Sequence, residues 1–294
     1  TEIYTLSLHD ALPIFIGLGN MGLGMAKNLL SKGYRVSGFD LSEAARNSAM
    51  DAGVKILPVE ELIAGTRILL LSLPKAEHVL DCSNEIEKWG EKGLVVIDTS
   101  TSTPDVTRMI YQRFIEKEML FVDAPVSGGP KGALTGTMTM VVGADRWLFE
   151  ALKPLLEAMS STQVHVGKAG AGNIVKICNN LLIAAHLITT AEALSLATKA
   201  GVEPEAFFAG INRGSGRSAA SEVNFPLWIL NGAFNSGFTM GLMRKDVGLA
   251  QSLMAEMGME RPLSQEIIAL WEQSRSFLAD DADFNEIVKN YKTE

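Results

Sequence analysis

Cysteine is nearly missing from this 294-residue chain: Cys82 and Cys178 are the only two, which excludes a disulfide framework and a cysteine-built metal centre and fits a reducing cytoplasm. A surplus of positive charge is missing as well. Lys and Arg number 26 against 34 Asp and Glu, a formal net charge of -8, which disfavours general nucleic-acid binding, since that wants a basic stripe to neutralise phosphates. Long apolar runs are scarce: the longest, near Leu181 to Leu187 and interrupted by His186, falls short of the roughly 20 residues of a membrane span, so no membrane segment is expected. His9, His78, His165 and His186 stand in no triad or metal-ligand spacing, and no metal site is expected. What remains, 47% hydrophobic and 20% charged residues, is ordinary globular material for one large or two medium domains.

The opening segment TEIYTLSLHDALPI has no initiator methionine, basic n-region or A-x-A site, so it does not read as a signal peptide. Back-translated in frame, it resembles a sequencing-library adapter. Residues 1–14 are therefore expected to be a non-native leader fused to a gene whose own start is missing, with Pro13 where a central strand would want an amide donor.

From Ile14 onward short β-rich runs alternate with helical stretches. IFIGLG, Tyr34 to Asp40, Arg67 to Leu73, Leu94 to Ser100 and Met119 to Val126 read as strands of a parallel sheet with crossover helices, extended by Met138 to Gly143 and Thr162 to Gly167. After Gly170 the β signal disappears. A long helix from about Ala171 to Ala200 opens an all-helical half, with further helices near Pro204 to Ile211, Met240 to Glu256 and Leu263 to Phe277. The expected organisation is α/β: a Rossmann-type, mostly parallel sheet domain at 15–167 and an all-helical domain at 168–294.

GLGNMG, comprising Gly17, Leu18, Gly19, Asn20, Met21 and Gly22, follows the first strand and opens a helix, the context a dinucleotide fingerprint needs. Gly17 permits the tight turn, Gly19 lets the backbone approach a pyrophosphate, and Gly22 allows close helix packing. Asp40, at the end of the second strand, is placed to accept from a ribose 2'-hydroxyl and would repel a 2'-phosphate. Arg46 is a turn and a half into the next helix, so NAD is favoured over NADP. Leu73 and Pro74 turn the chain across the cofactor, and Thr101 or a neighbour in the hydroxyl-rich DTSTSTP is a candidate to face the nicotinamide. Ser127, Gly128 and Gly129 of DAPVSGG offer a hydroxyl and unhindered amides, a cradle for a carboxylate. In GKAGAGNIVKICNN, Lys176 and Asn180 are four apart and share a helix face.

In that order and spacing, GLGNMG, the DTST turn, DAPVSGG, GAGNIVKICNN and LMRKDVGLAQ resemble the β-hydroxyacid dehydrogenase family, most closely 3-hydroxyisobutyrate dehydrogenases and their serine- and threonate-oxidising relatives, from Phe15 to about Tyr291. The resemblance implies a 6-phosphogluconate dehydrogenase-like helical domain, Lys176 as catalytic residue, and Asn180 as the group that orients substrate. It also implies Ser127 to Gly129 as the substrate-carboxylate loop, Thr101 near the nicotinamide, and Lys245 closing on the cofactor. The implied reaction is reversible oxidation of a small carboxylate-bearing 3-hydroxy acid by a cytoplasmic homodimer or homotetramer, substrate lying between the domains. Lysine serves either as a base, if burial and a nearby cation lower its pKa, or as a protonated stabiliser of alkoxide charge. Rival readings are an imine or ketone reductase on the same scaffold, expected to lack the lysine and asparagine pair, and a catalytically silent dinucleotide-binding scaffold. Arg217, in the segment NRGSGRSAASEVNFP that resembles the family's substrate cover, is placed either to meet a second anionic group or to cap local carbonyls.

Overall fold

A computed structural model describes residues 12–291, so the expected leader lies outside the described residues except for Leu12, Pro13 and Ile14. Ile14 is a strand residue, opposite Ser37 and Leu69 on either side. Pro13 precedes that strand and contributes only its carbonyl, which accepts from the Ser37 amide at 3.4 Å.

The chain divides into two compact units, the first ending at Lys176 and the second beginning at Ile177. In the first, the elements run β1 (Ile14–Ile16), α1 (Asn20–Ser31), β2 (Ser37–Phe39), α2 (Glu43–Asp51), β3 (Lys55–Ile56), α3 (Val59–Ala64), β4 (Ile68–Leu71), α4 (Ala76–Trp89) and β5 (Val95–Asp98). They continue with α5 (Pro104–Glu116), β6 (Leu120–Asp123), β7 (Val126–Ser127), α6 (Gly129–Thr135), β8 (Thr139–Gly143), α7 (Arg146–Met159) and β9 (Thr162–Gly167). The sheet order is β3-β2-β1-β4-β5-β6-β8-β7, with β9 on β8; pairing is parallel from β3 to β6 and antiparallel where β8 meets β6 and β7. The mostly parallel sheet expected from the sequence is thus present. Two departures have simple causes. The run Met119 to Val126, expected as one strand, is two, because Pro125 has no amide to give a ladder. β3 escaped notice because two residues carry no alternation.

Strands β4 and β5 are buried at every position. Side chains of β1, β4, β5 and β6 alternate between two cores: Phe15, Leu70, Ile97 and Val122 point into one, Ile14, Ile16, Leu69, Leu71, Val96 and Phe121 into the other. Helices therefore cover both faces, as burial of parallel strands requires. This layering leaves the carboxyl ends of β1, β2, β4, β5 and β6 to carry the polar loops, with the order reversing between β1 and β4.

The second unit holds most of α8 (Ala171–Lys199), then α9 (Pro204–Ile211), a π-helical segment Ala220–Ile229, α10 (Met240–Glu256), α11 (Pro262–Gln273) and a closing 3-10 segment Phe284–Tyr291. The helix expected over Leu263 to Phe277 stops at Gln273 and tightens into a 3-10 turn. Trp271 is fully buried and its indole N–H donates to the Ala184 carbonyl of α8, tying α11 to that helix. One expectation is corrected here. By length and composition alone α8 does match a membrane span, with 29 residues and a mean hydropathy of 1.5 over an 18-residue stretch, because isolated polar residues shorten an apolar run without much lowering a windowed mean. The same helix places Ala184, Leu187, Ile188 and Ala191 in the core of the second unit.

Candidate active site

The glycine turn separates by geometry into parts the fold requires and a part it leaves open. Gly17 has φ +96°, and a Cβ there would collide with the Ser72 carbonyl; one on Gly22 would collide with the Gly17 carbonyl. Both glycines are fixed by the close approach of α1 to the β1–β4 crossing. Gly19 differs: its φ of -66° suits any residue, and nothing stands within 4 Å of where its Cβ would be. The open space lies at the N-terminus of α1, where the first amides of a helix have no intrahelical partner and the helix end is electropositive. Gly19 thus leaves room for an anionic group at that helix end.

Asp40, just after β2, is held by two amides, Leu18 N–H to Oδ2 at 2.7 Å and Ser42 N–H to Oδ1 at 2.8 Å. The carboxylate is thereby joined to the glycine turn, and each oxygen keeps a lone pair for a ribose hydroxyl. Arg46 is nearer than its sequence distance suggests. It folds back so that its guanidinium donates to the Asp40 and Leu41 carbonyls and lies 5.7 Å from the Phe39 ring centre. At the next strand end the Leu73 amide donates to Ser100 Oγ at 2.8 Å, coupling the Leu73–Pro74 turn to the hydroxyl-rich turn after β5. The hydroxyls of Thr99 and Ser100 tie that turn to the end of β4, Thr99 donating to the Leu71 carbonyl and Ser100 accepting from the Leu73 amide, and Thr103 caps α5, while Thr101 is half-buried.

Lys176 and Ser127 do meet. Lys176 is buried, 8% exposed, and its Nζ donates to Ser127 Oγ at 3.2 Å. Ser127 begins the glycine pair, where Gly128 and Gly129 have φ +129° and +62°, values that exclude most side chains. Behind that loop α6 packs closely on α1, since Gly24 has no room for a Cβ against Ala133 and Asn28 donates to the Ala133 carbonyl.

In the second unit Asn180 and Lys245 share a partner the sequence did not single out. Asp246, 2% exposed, accepts from the Asn180 side-chain amide and pairs with the Lys245 ammonium at 3.1 Å. The Asn179 side-chain amide in turn donates to Asn180 Oδ1 at 3.1 Å, so both polar ends of the Asn180 side chain are held. Burial of the carboxylate is what sequence could not supply. Asp123 and Asn173, both fully buried, form a second unforeseen pair at the start of α8. Arg217 lies exposed in its loop. Burial, with Asp98 and Glu85 nearby, pushes the Cys82 thiol up to about 12, which leaves it a poor nucleophile.

Known proteins resemble this chain along most of its length. Residues 14–167 match the family described as the NAD binding domain of 6-phosphogluconate dehydrogenase, and residues 170–291 that described as NAD-binding of NADP-dependent 3-hydroxyisobutyrate dehydrogenase. The chain belongs to the β-hydroxyacid dehydrogenase family. It is 37% identical over 279 residues to the 2-(hydroxymethyl)glutarate dehydrogenase of Eubacterium barkeri, covering 94% of this chain and 93% of that protein. It is 36% identical to the NAD-dependent L-serine dehydrogenase of Pseudomonas aeruginosa, over 87% and 90% of the two chains. Among solved structures, 3-hydroxyisobutyrate dehydrogenase of Mycobacterium tuberculosis with L-serine superposes with a TM-score of 0.90 at 32% identity, covering 96% and 99%. Membership makes the chain an NAD-dependent oxidoreductase acting on a CH–OH group.

Proposed function

We propose that this enzyme oxidises a small 3-hydroxy acid reversibly to its semialdehyde or 3-oxo acid, with Lys176 as the group that handles the hydroxyl proton. The observation that carries the reading is the buried Lys176 ammonium donating to Ser127 at the head of the glycine pair. Oxidation of an alcohol removes a hydride and a proton, and NAD, when bound, accepts the hydride. The proton needs a positioned acceptor, or the alkoxide a positioned cation, and Lys176 supplies one or the other. Ser127, Gly128 and Gly129 receive the substrate carboxylate. Asn180, one turn from Lys176 on α8, orients the substrate, and Lys245 serves the cofactor. Leu73, Pro74 and Thr101 line the cofactor beside the glycine turn, and Asp40 receives the adenosine ribose.

The substrate panel follows from the relatives' names: 3-hydroxyisobutyrate, L-serine and 2-(hydroxymethyl)glutarate, with threonate and glycerate beside them. Lys176 and Asn180 together argue against imine or ketone reduction. We further assign the enzyme to the cytoplasm as a homodimer or homotetramer, in which a second copy covers apolar residues such as Leu182 and Leu196, 57% and 73% exposed on α8. NADH formation at alkaline pH with each substrate, alongside Lys176→Ala, tests the reading. Turnover of one substrate, reduced about 10³-fold or more in the variant, is expected; a variant as active as the parent sinks the assignment.

A further inference from the structure

Asp123 ends β6 with no exposed surface, and its carboxylate is taken up by backbone amides of the helix that carries Lys176. Oδ1 accepts from Gly170 N–H at 2.8 Å and Oδ2 from Asn173 N–H at 2.9 Å. Two glycines make room for it: a Cβ on Gly143 of β8 or on Gly172 of α8 would collide with the carboxylate oxygens. Asn173 extends the restraint in a second direction. Its side-chain oxygen accepts from the Ser102 amide at 2.9 Å and its Nδ2 donates to Thr107 Oγ1 at 3.0 Å. Three residues later on the same helix, Lys176 reaches Ser127, which lies four residues after Asp123 on the strand side. The short segment 123–127 thus holds α8 at both of its ends.

We propose that Asp123 and Asn173 act as one clamp that positions Lys176, Asp123 fixing the first turn of α8 to the strand leading into the substrate loop and Asn173 fixing it to the turn that contains Thr101. The inference rests on the reading of Lys176 as the catalytic lysine. Neither residue touches substrate; both are positioning residues. Amide bonds to an ionised carboxylate are about twice as strong as neutral ones, and misplacing a reacting group by about 1 Å costs about 10²-fold in rate. Burial pushes the Asp123 carboxyl up to about 6, against the amides that lower it, so both oxygens are acceptors at alkaline pH. An asparagine at this position keeps the shape but turns one acceptor into a donor facing an N–H.

The test compares Asp123→Asn, Asn173→Ala, Lys176→Ala and the Asp123→Asn/Lys176→Ala double variant by kcat, KM and NAD affinity. Asp123→Asn is expected to lower kcat about 10²-fold and Asn173→Ala about tenfold, with NAD affinity within about twofold of the parent. In the Lys176→Ala background, read as its residual rate or as the rate rescued by added ethylamine, Asp123→Asn is expected to change little, because no tethered amine remains to be positioned. Equal losses in both backgrounds, or a folded Asp123→Asn with parental kcat, overturn the clamp. If Asp123→Asn does not fold, Asn173→Ala decides, since it leaves the carboxylate and both amides in place; parental kcat there is equally fatal. Full activity in Lys176→Ala would instead remove the catalytic reading beneath the inference, a result separable from loss in Lys176→Ala with an unaffected Asp123→Asn.

Discussion

Two aspartates buried almost equally do different work. Asp123 gives both oxygens to main-chain amides, whereas Asp246 gives its oxygens to two side chains, the Asn180 amide and the Lys245 ammonium. A carboxylate on amides fixes a stretch of backbone. A carboxylate on side chains fixes polar tips that would otherwise rotate, and its removal strands them in a dry place. The first arrangement makes a helix start where it does; the second arranges groups already delivered by the fold.

Breaking the second arrangement has the larger expected effect. Asp246→Ala removes the acceptor of the buried Asn180 amide and the carboxylate beside the Lys245 ammonium, a loss of about 2 kcal/mol in stability. kcat/KM is expected to drop about 10²-fold or more, because two site residues lose their orientation together. Denaturant unfolding and steady-state assays read the two effects separately. A variant with parental stability and turnover would show that Asn180 and Lys245 do not depend on Asp246.

The first arrangement is exposed by pH. Asp123 rises from 3.8 to about 6 in the folded protein, chiefly through burial. Between those values the folded state keeps a proton that the unfolded state has released, so stability falls as pH rises through the window and the cost is complete above it. That difference corresponds to about 3 kcal/mol. Asp123→Asn, which does not titrate, is therefore expected to gain on the parent by up to that amount between about pH 4 and 6.5, whatever constant penalty its lost acceptor brings. Parallel unfolding curves for the two proteins across that range would contradict the buried, proton-retaining carboxylate.

How much of this was legible in the sequence follows from the range of each signal. GLGNMG and Asp40 could be read because a local turn, a helix start and a strand end lie close together in the chain, and the structure adds only that Gly17 and Gly22 are fixed by the fold while Gly19 is not. The α8 limits were legible from a glycine at either end of a long apolar stretch. Lys176 and Ser127 were nominated separately, each from local pattern and resemblance; their contact spans 49 positions. Asp123 to Asn173 and Asn180 to Asp246 span 50 and 66, and no periodicity in a single sequence links positions so far apart. The π-helical turn at Ala220–Ile229 went unread because Pro226 and the serines around it signal a loop.

Asp40 has features of both classes. Like Asp123 it accepts two amides, from Leu18 and Ser42, but it is only partly buried, and a carboxylate has acceptor capacity beyond two bonds. If it is chiefly a backbone clamp, Asp40→Ser loosens the glycine turn and weakens NAD and NADP alike. If its charge selects the cofactor, the same change lowers kcat/KM with NAD about tenfold and raises it with NADP by a similar factor, about 1.4 kcal/mol each way. Arg46 favours the second outcome, since its guanidinium already stands at the Asp40 and Leu41 carbonyls and would meet a 2'-phosphate once the carboxylate is gone. Steady-state kinetics with both cofactors decides it: an unchanged NAD to NADP ratio places Asp40 with Asp123, and a ratio shifted toward NADP sets it apart as the residue through which the β2 end chooses its nucleotide.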